Sequence, residues 1–242
     1  MLRRAPLRGL RAGEVVVPAA TDHYLTRVLR LSEGDRVELF DPEVGVAAIA
    51  TLGPSTEGRL VVRVGEPTPA PTPAVACTLI YALSKGDKVD AVVRDATELG
   101  AAAVVVAVTE RSVIRLDEAR SRERLARWER VASEASRQCG RAAAPAVRGP
   151  LALADALASV DAGATRVALS PHATAPLGPI LADVVRARGA LALAVGPEGG
   201  FSDREMRELA EGGFVAARLG ASVLRTETVA AAALGALRVY EE

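Results

Sequence analysis

From Val75 onward, apolar runs of strand length alternate with stretches in which apolar side chains return every three or four residues. That alternation predicts strands separated by helices. Strands are expected at Val75 to Leu83, Ala103 to Thr109, Arg166 to Ser170 and Val215 to Leu219, with another opening at Leu191. Between them, Val89, Val92, Ala96 and Leu99 form one helical stripe closed by Gly100, and Leu125, Trp128, Ala132 and Ala135 form another within a helix around 120 to 138. Further helices are expected near 151 to 159, from Leu177 to Arg186, after Ser202, and along Val229, Ala233, Leu237 and Tyr240. Strands that are apolar on both faces and alternate with helices predict an α/β domain whose parallel sheet is covered on both sides.

The first 66 residues follow a different pattern. Alternating Val37 and Leu39, then Val46 to Leu52 and Leu60 to Val64, predict short strands of a small β-barrel. One helix is expected over Thr21 to Arg30, with a capping start, Leu25, Val28 and Leu29 inward, and His23, Arg27 and Arg30 on another surface. Pro67, Pro69, Pro71 and Pro73 alternate with other residues. Alternating prolines cannot ladder in a sheet, so 67–73 is expected to be a stiff linker between domains 1–66 and 74–242.

Composition narrows the classes. With 242 residues, half of them hydrophobic, the chain can bury a sizeable core, and its net charge of zero points to no polyanionic partner in bulk. Charge is nevertheless uneven: residues 1–30 carry six arginines against two acids, and 111–148 carry ten against five. These are local basic patches suited to nucleic acid, and the second contains Arg137 and Arg141. Cys77 and Cys139 are too few for a disulfide framework or a zinc cluster, which favours a reducing, cytoplasmic setting without a metal. Neither a signal peptide nor an apolar run long enough for a membrane span is visible, so no membrane partner is expected.

The chemistry concentrates in two runs. Leu191-Ala-Leu-Ala-Val-Gly-Pro-Glu-Gly-Gly-Phe201 is a strand emptying into a loop with Gly196, Gly199 and Gly200, where missing side chains let backbone approach a ligand. Ser202-Asp-Arg-Glu205 has the spacing of a capping box, so the ligand is expected at helix-start amides. Leu219-Gly-Ala-Ser-Val-Leu-Arg-Thr-Glu-Thr-Val229 repeats the plan, which places two strand ends at one crevice. The loop matches neither the dinucleotide nor the P-loop fingerprint, and Glu198 suits a ligand carrying positive charge rather than a phosphate.

Together, GPEGGF and LG-x-x-x-LRTET resemble the C-terminal signature of the SPOUT methyltransferases, in the wording of the bacterial small-subunit ribosomal RNA uridine N3-methyltransferases. Ala82-Leu-Ser-Lys-Gly-Asp-Lys88, Ala96-Thr-Glu-Leu-Gly100, Glu110-Arg-Ser112 and Ser133 to Arg141 resemble the same family in the same order. The helix, Gly34-Asp35 and the following strand resemble its PUA-like N-terminal domain. Glu134-Ala-Ser136 departs from the family's E-Q-S. The resemblance implies S-adenosylmethionine as cofactor, a trefoil knot, a homodimer and 16S rRNA, within the 30S subunit, as partner.

Carried over from the family, main-chain groups of Leu169, Ser170, Val195, Gly196, Pro197, Glu198, Gly199, Gly200, Leu219, Gly220 and Leu224, together with Thr226, would surround the cofactor. Methylating N3 of uracil needs its proton removed while charge spreads onto O2 and O4, and a cation there stabilises the anion. Arg225 is the expected donor, with an ion pair to Glu198 or Glu227 as its alternative role; either glutamate could take the proton if burial raised its pKa. Thr226 and Thr228 are expected to cap the last helix, and His172 to be an exposed loop residue. His23, Arg27, Arg30, Arg137 and Arg141 are the expected RNA contacts. A competing reading is a non-catalytic dimeric RNA-binding protein of the same shape, against which both intact runs argue.

Overall fold

The computed structural model describes residues 2–56, 58–112 and 117–241. The chain divides into two compact units, Met1–Thr72 with Ser136–Ala144, and Pro73–Ala135 with Pro145–Glu242. Ser136–Ala144 thus leaves the second domain in which the linear reading had placed it, a long-range association that local sequence pattern does not carry.

The first unit contains strands β1 (Arg4–Pro6) and β2 (Gly13–Val16), helix α1 (Ala19–His23), a π-helical turn (Tyr24–Val28), and strands β3 (Arg36–Asp41), β4 (Val46–Thr56), β5 (Arg59–Val64) and β6 (Thr68–Pro69). The strand order is β1-β3-β4-β5-β2, with β6 on β4. Val37 and Leu39, then Ala48, Ala50 and Leu52, then Leu60, Val62 and Val64, alternate into one buried cluster, as period-two strands with one inward face must.

Two expectations change here. The helix begins at Ala19 behind Pro18, without a side-chain cap, and then widens: the Leu29 amide donates to Tyr24 O, five residues back. A π turn rotates later residues off the 3.6-residue stripe. Leu25 is accordingly buried but Val28 is exposed. The proline stretch also pairs, because Pro69 and Thr68 lie opposite Val46 and Ala47. Proline is tolerated at such a short edge ladder, where its missing N–H need not meet a partner.

The second unit begins with β7 (Cys77–Ala82), α2 (Lys88–Glu98), β8 (Ala103–Val108), α3 (Glu118–Cys139, whose last residues cluster with the first unit), β9 (Ala146–Ala152) and α4 (Leu153–Ala158). It continues through β10 (Thr165–Leu169), α5 (Leu177–Ala187), β11 (Leu191–Val195), α6 (Asp203–Glu211), β12 (Val215–Ala217) and α7 (Thr226–Glu241). The order β12-β10-β11-β7-β8-β9 is parallel throughout. Leu79, Tyr81, Leu193 and Val195 pack with α2, α5, α7 and Trp128 of α3, while Ile80, Ala192 and Ala194 pack with α4, Phe201 and Leu209. Both faces are therefore covered, as the apolar runs predicted.

Helix α2 stops where Gly100 was expected to stop it. Gly100 takes φ +80, its amide donates to Thr97 O at 3.1 Å, and the Ala101 amide reaches Ala96 O at 2.8 Å, the paired bonds of a Schellman ending. Strand β9 was not expected, because Gly149 and Pro150 interrupt its pattern; it lies at the sheet edge, with a register shift between Val105 and Ala107 on β8. An edge is where a strand can carry both residues. On α7, Ala230, Ala233, Leu234 and Leu237 are buried, whereas Tyr240 is 46% exposed and stands outside the expected apolar stripe.

Candidate active site

Because every strand of the second unit is parallel, the loops after β7, β8, β10, β11 and β12 emerge along one sheet edge. The chain leaves β7 through α2 towards β8 on one flank, and leaves β11 through α6 towards β12 on the other. The adjacent pair β7 and β11 is therefore the point where the winding reverses, and a crevice opens at such a point. The residues that meet there are Lys88, at the start of α2, and Glu198, in the loop after β11. Their Nζ and Oε1 atoms are 2.6 Å apart.

The loop after β11 is shaped by its glycines. Gly196 is buried, and a Cβ on it would come within 3.0 Å of the Phe201 nitrogen and 3.1 Å of the Phe201 ring. Only glycine fits there without displacing backbone. Gly200 takes φ +71, and its amide closes a turn on Pro197 O at 2.7 Å. Gly199 differs: its nearest neighbour is the Arg111 side chain, which also donates to Gly199 O.

The capping box forms as its spacing predicted. Glu205 N donates to Ser202 Oγ at 3.2 Å, and Ser202 N donates to Glu205 Oε2 at 2.8 Å. The other oxygen of Glu205 accepts the Glu110 amide at 2.7 Å, which ties the loop after β8 to the start of α6. The Ser202 and Glu205 amides are thus committed inside the protein. These two amides are not free to receive a ligand.

Behind these loops runs a chain of polar groups. Tyr81 OH, on β7, shares a hydrogen bond of 2.8 Å with Thr226 Oγ1, which in turn lies 3.1 Å from Glu227 Oε2. Glu227 is 3.7 Å from Lys88 Nζ. Burial pushes the Tyr81 phenol above its ordinary pKa, and the nearby Glu227 and Glu198 charges act in the same direction. Ser84, just beyond the end of β7, is 4% exposed, and its hydroxyl acts on the Tyr81 phenol, drawing its pKa down against the effect of burial. Thr226 is the first residue of α7 and spends its hydroxyl on Tyr81 and Glu227. Thr228 is exposed.

The electrostatics reverse one expectation. Neither glutamate has its pKa raised by burial. The Lys88 hydrogen bond holds Glu198 below the usual carboxylate range, and Glu227 is lowered by its own backbone amide, then by Thr226, Lys88 and Arg225. Both carboxylates stand ionised at neutral pH. Arg225 is exposed and makes no ion pair or hydrogen bond through its guanidinium among the described residues; the glutamates it could have paired with are engaged by Lys88 instead. Among the other expected positions, Leu169 and Val195 are buried at their strand ends, Ser170 N donates to Ala217 O at 2.9 Å, and Leu219 is half-buried. Gly220 takes φ +72, while Leu224 and His172 are exposed.

These features can be set beside known proteins. A family model for the RNA methyltransferase domain matches residues 71–238, and one for the RNA methyltransferase PUA domain matches 23–65. The ribosomal RNA small subunit methyltransferase E of Mycobacterium bovis is 35% identical over 229 residues, covering 93% of this chain and 86% of its own. That of Synechocystis sp. is 34% identical over 233 residues, covering 94% and 74%. The chain belongs to the ribosomal RNA small subunit methyltransferase E family. The crystal structure of the member from Neisseria gonorrhoeae, bound to S-adenosyl methionine, superposes with a TM-score of 0.84 at 30% identity, covering 99% of this chain and 98% of that one.

The family's PUA domain lies in the first unit, and with it all the expected RNA contacts. His23, Arg27 and Arg30 are exposed around the π turn. Arg137 stacks over the Tyr24 ring, 5.9 Å from its centroid, so two patches that the linear sequence separates come together within one unit. Arg141 offers its carbonyl to Arg4 at 3.1 Å. Among the described residues, no group of three or more His, Cys, Asp or Glu could hold a metal ion, and no helix is long and apolar enough to cross a membrane.

Lys88 and Tyr81 join this cluster without a signal in the sequence pattern. A lysine one position inside a helix start carries no local signal. Tyr81 lies within a continuous apolar strand, where its hydroxyl is invisible to pattern.

Proposed function

We propose that this chain transfers the methyl group of S-adenosylmethionine to N3 of a specific uridine in 16S rRNA, presented by the 30S subunit in the cytoplasm, and works as a homodimer. What carries the reading is the grouping, at one strand edge, of a loop closed to side chains at Gly196, two ionised carboxylates and the uncommitted guanidinium of Arg225. The residues present fit the cofactor: a cationic ligand is complemented by Glu198 and Glu227, and the Gly196 loop keeps its backbone bare. The cofactor-bound relative and the RNA methyltransferase family models favour the same ligand. The trefoil knot implied by the resemblance belongs with this reading.

When bound, S-adenosylmethionine supplies an electrophilic methyl group on a sulfonium sulfur. The carbon–sulfur bond breaks as the N3–carbon bond forms, so the protein's task is to align the two partners and manage one proton. In this reading Arg225 donates to O2 or O4 of the base and stabilises the anion that develops when N3–H is lost. The proton goes to an ionised carboxylate. Glu227 is the less committed of the two, since Lys88 lies 3.7 Å from it but 2.6 Å from Glu198. Capture of the RNA falls to the arginines around Tyr24, and exposed Val215, Val223 and Val239 on the second unit are in keeping with a surface that a second copy covers.

The test is mass spectrometry of 16S rRNA nucleosides from a strain lacking this chain, with restoration in vitro by the purified protein on 30S subunits. Loss of 3-methyluridine on deletion and its return on treatment is the expected result. An unchanged nucleoside profile would remove the reading.

A further inference from the structure

Lys88 stands where the three loops that flank the reversal of winding come together. It opens α2 after β7, pairs at 2.6 Å with Glu198 in the loop after β11, and reaches to 3.7 Å of Glu227 in the first turn of α7 after β12. No other described cation is paired with either carboxylate. Its side chain is 36% exposed, and those of Glu198 and Glu227 are 52% and 25% exposed. Pairs this open contribute little to global stability. A lysine that cross-links three loops of one site without stabilising the fold has positional consequences.

We propose, resting on the function above, that Lys88 is a positioning residue of the methyl-transfer site: its ammonium clasps Glu198 and Glu227 and so fixes the loop after β11 against the start of α7. The Gly196–Gly200 backbone and Arg225 lie on the two elements so joined, and their separation sets how the cofactor-side loop meets the base-side guanidinium. Misplacement of reacting groups by about 1 Å costs on the order of 100-fold in rate. The groups facing Lys88 are Glu198 and Glu227 with Tyr81 beyond them, and Arg225 acts on Glu227 from the other side.

The experiment uses the full chain with Lys88→Met, Glu198→Gln, the double variant and Lys88→Arg. Melting temperature, S-adenosylmethionine affinity against pH, methylation rate, and hydrogen exchange at 196–201 and 226–229 in the unliganded protein are measured. Lys88→Met should melt as the wild type does, exchange faster in both segments, and lose roughly 10- to 100-fold in rate. Lys88→Arg should recover most of that loss. In the wild type Glu198 is held low, so binding should weaken only as the solution becomes more acidic than the usual carboxylate range. Without the ammonium that pKa rises, and the acid limb should move to higher pH. If Lys88 acts through Glu198, exchange at 196–201 in the unliganded double variant should be no faster than in the poorer single variant.

Exchange rates that multiply in the unliganded double variant, unchanged exchange in Lys88→Met, or a melting temperature that falls along with the rate would overturn the positioning role while leaving the function intact. A wild type that neither binds S-adenosylmethionine nor methylates 30S subunits would overturn the function and this role with it.

Discussion

The carboxylate of Glu205 accepts the backbone amide of Glu110 at 2.7 Å while closing the capping box on Ser202 at 2.8 Å, so one buried side chain holds two loops of the sheet edge. Glu205 is 2% exposed, and removing it would leave two amides without their partner. Glu205→Ala should therefore cost about 2 to 3 kcal/mol, against about 1 kcal/mol for Ser202→Ala, which removes only the cap. Urea denaturation of both variants checks the order. A Glu205→Ala protein no less stable than Ser202→Ala would show that the Glu110 bond contributes nothing.

The glycines of the loop after β11 should not respond alike. At Gly196 an added Cβ meets the Phe201 backbone nitrogen at 3.0 Å, and at Gly199 it meets Arg111 Cδ at 3.2 Å. Backbone yields little, whereas a long exposed side chain swings away easily. Gly196→Ala should weaken S-adenosylmethionine binding by tenfold or more, an order-of-magnitude figure for a displaced loop, and Gly199→Ala should change it little. Calorimetric titration of the two variants decides the matter, and equal losses would refute the distinction.

Much of the sheet was legible because its strands are buried on both faces, so residues such as Leu191 to Val195 are apolar without interruption. The start of α6 and the end of α2 were legible because both are local devices, Ser202 with Glu205 and Gly100 at positive φ. What escaped were features set by neighbours distant in sequence. Gly149 and Pro150 hid β9, which is a strand only because β8 lies beside it. A π turn moved Val28 out of the expected stripe. The lowered pKa of Glu198 was not legible because its partner Lys88 lies 110 residues earlier in the chain.

The proposed RNA-binding surface is better tested by point substitution than by removing 1–66. Ala142 packs in one cluster with Phe40, Ala47 and Ala70, so the truncation would strip cover from Ser136–Ala144 and confuse binding with misfolding. Arg27→Ala and Arg137→Ala should each weaken binding to 30S subunits and lower the slope of log affinity against log salt by about one. Filter binding at several salt concentrations measures this. Unchanged slopes in both variants would mean that phosphates are met elsewhere.

Arg225 separates catalysis from folding. Its guanidinium makes no ion pair among the described residues, and Glu227, the carboxylate it acts on, also lies 3.7 Å from Lys88, so its removal orphans no buried charge. Arg225→Ala should keep the wild-type melting temperature and S-adenosylmethionine affinity. If the guanidinium stabilises the uracil anion, the methylation rate should fall by roughly 100-fold or more, the scale of losing one preorganised donor. Arg225→Lys should recover part of the rate, because a point charge remains while the planar fork is lost. Rate, affinity and melting measured on the same preparation distinguish the roles. A stable Arg225→Ala protein that binds the cofactor and methylates at the wild-type rate would eliminate the catalytic assignment, and a joint fall in melting temperature and affinity would make Arg225 a structural residue after all.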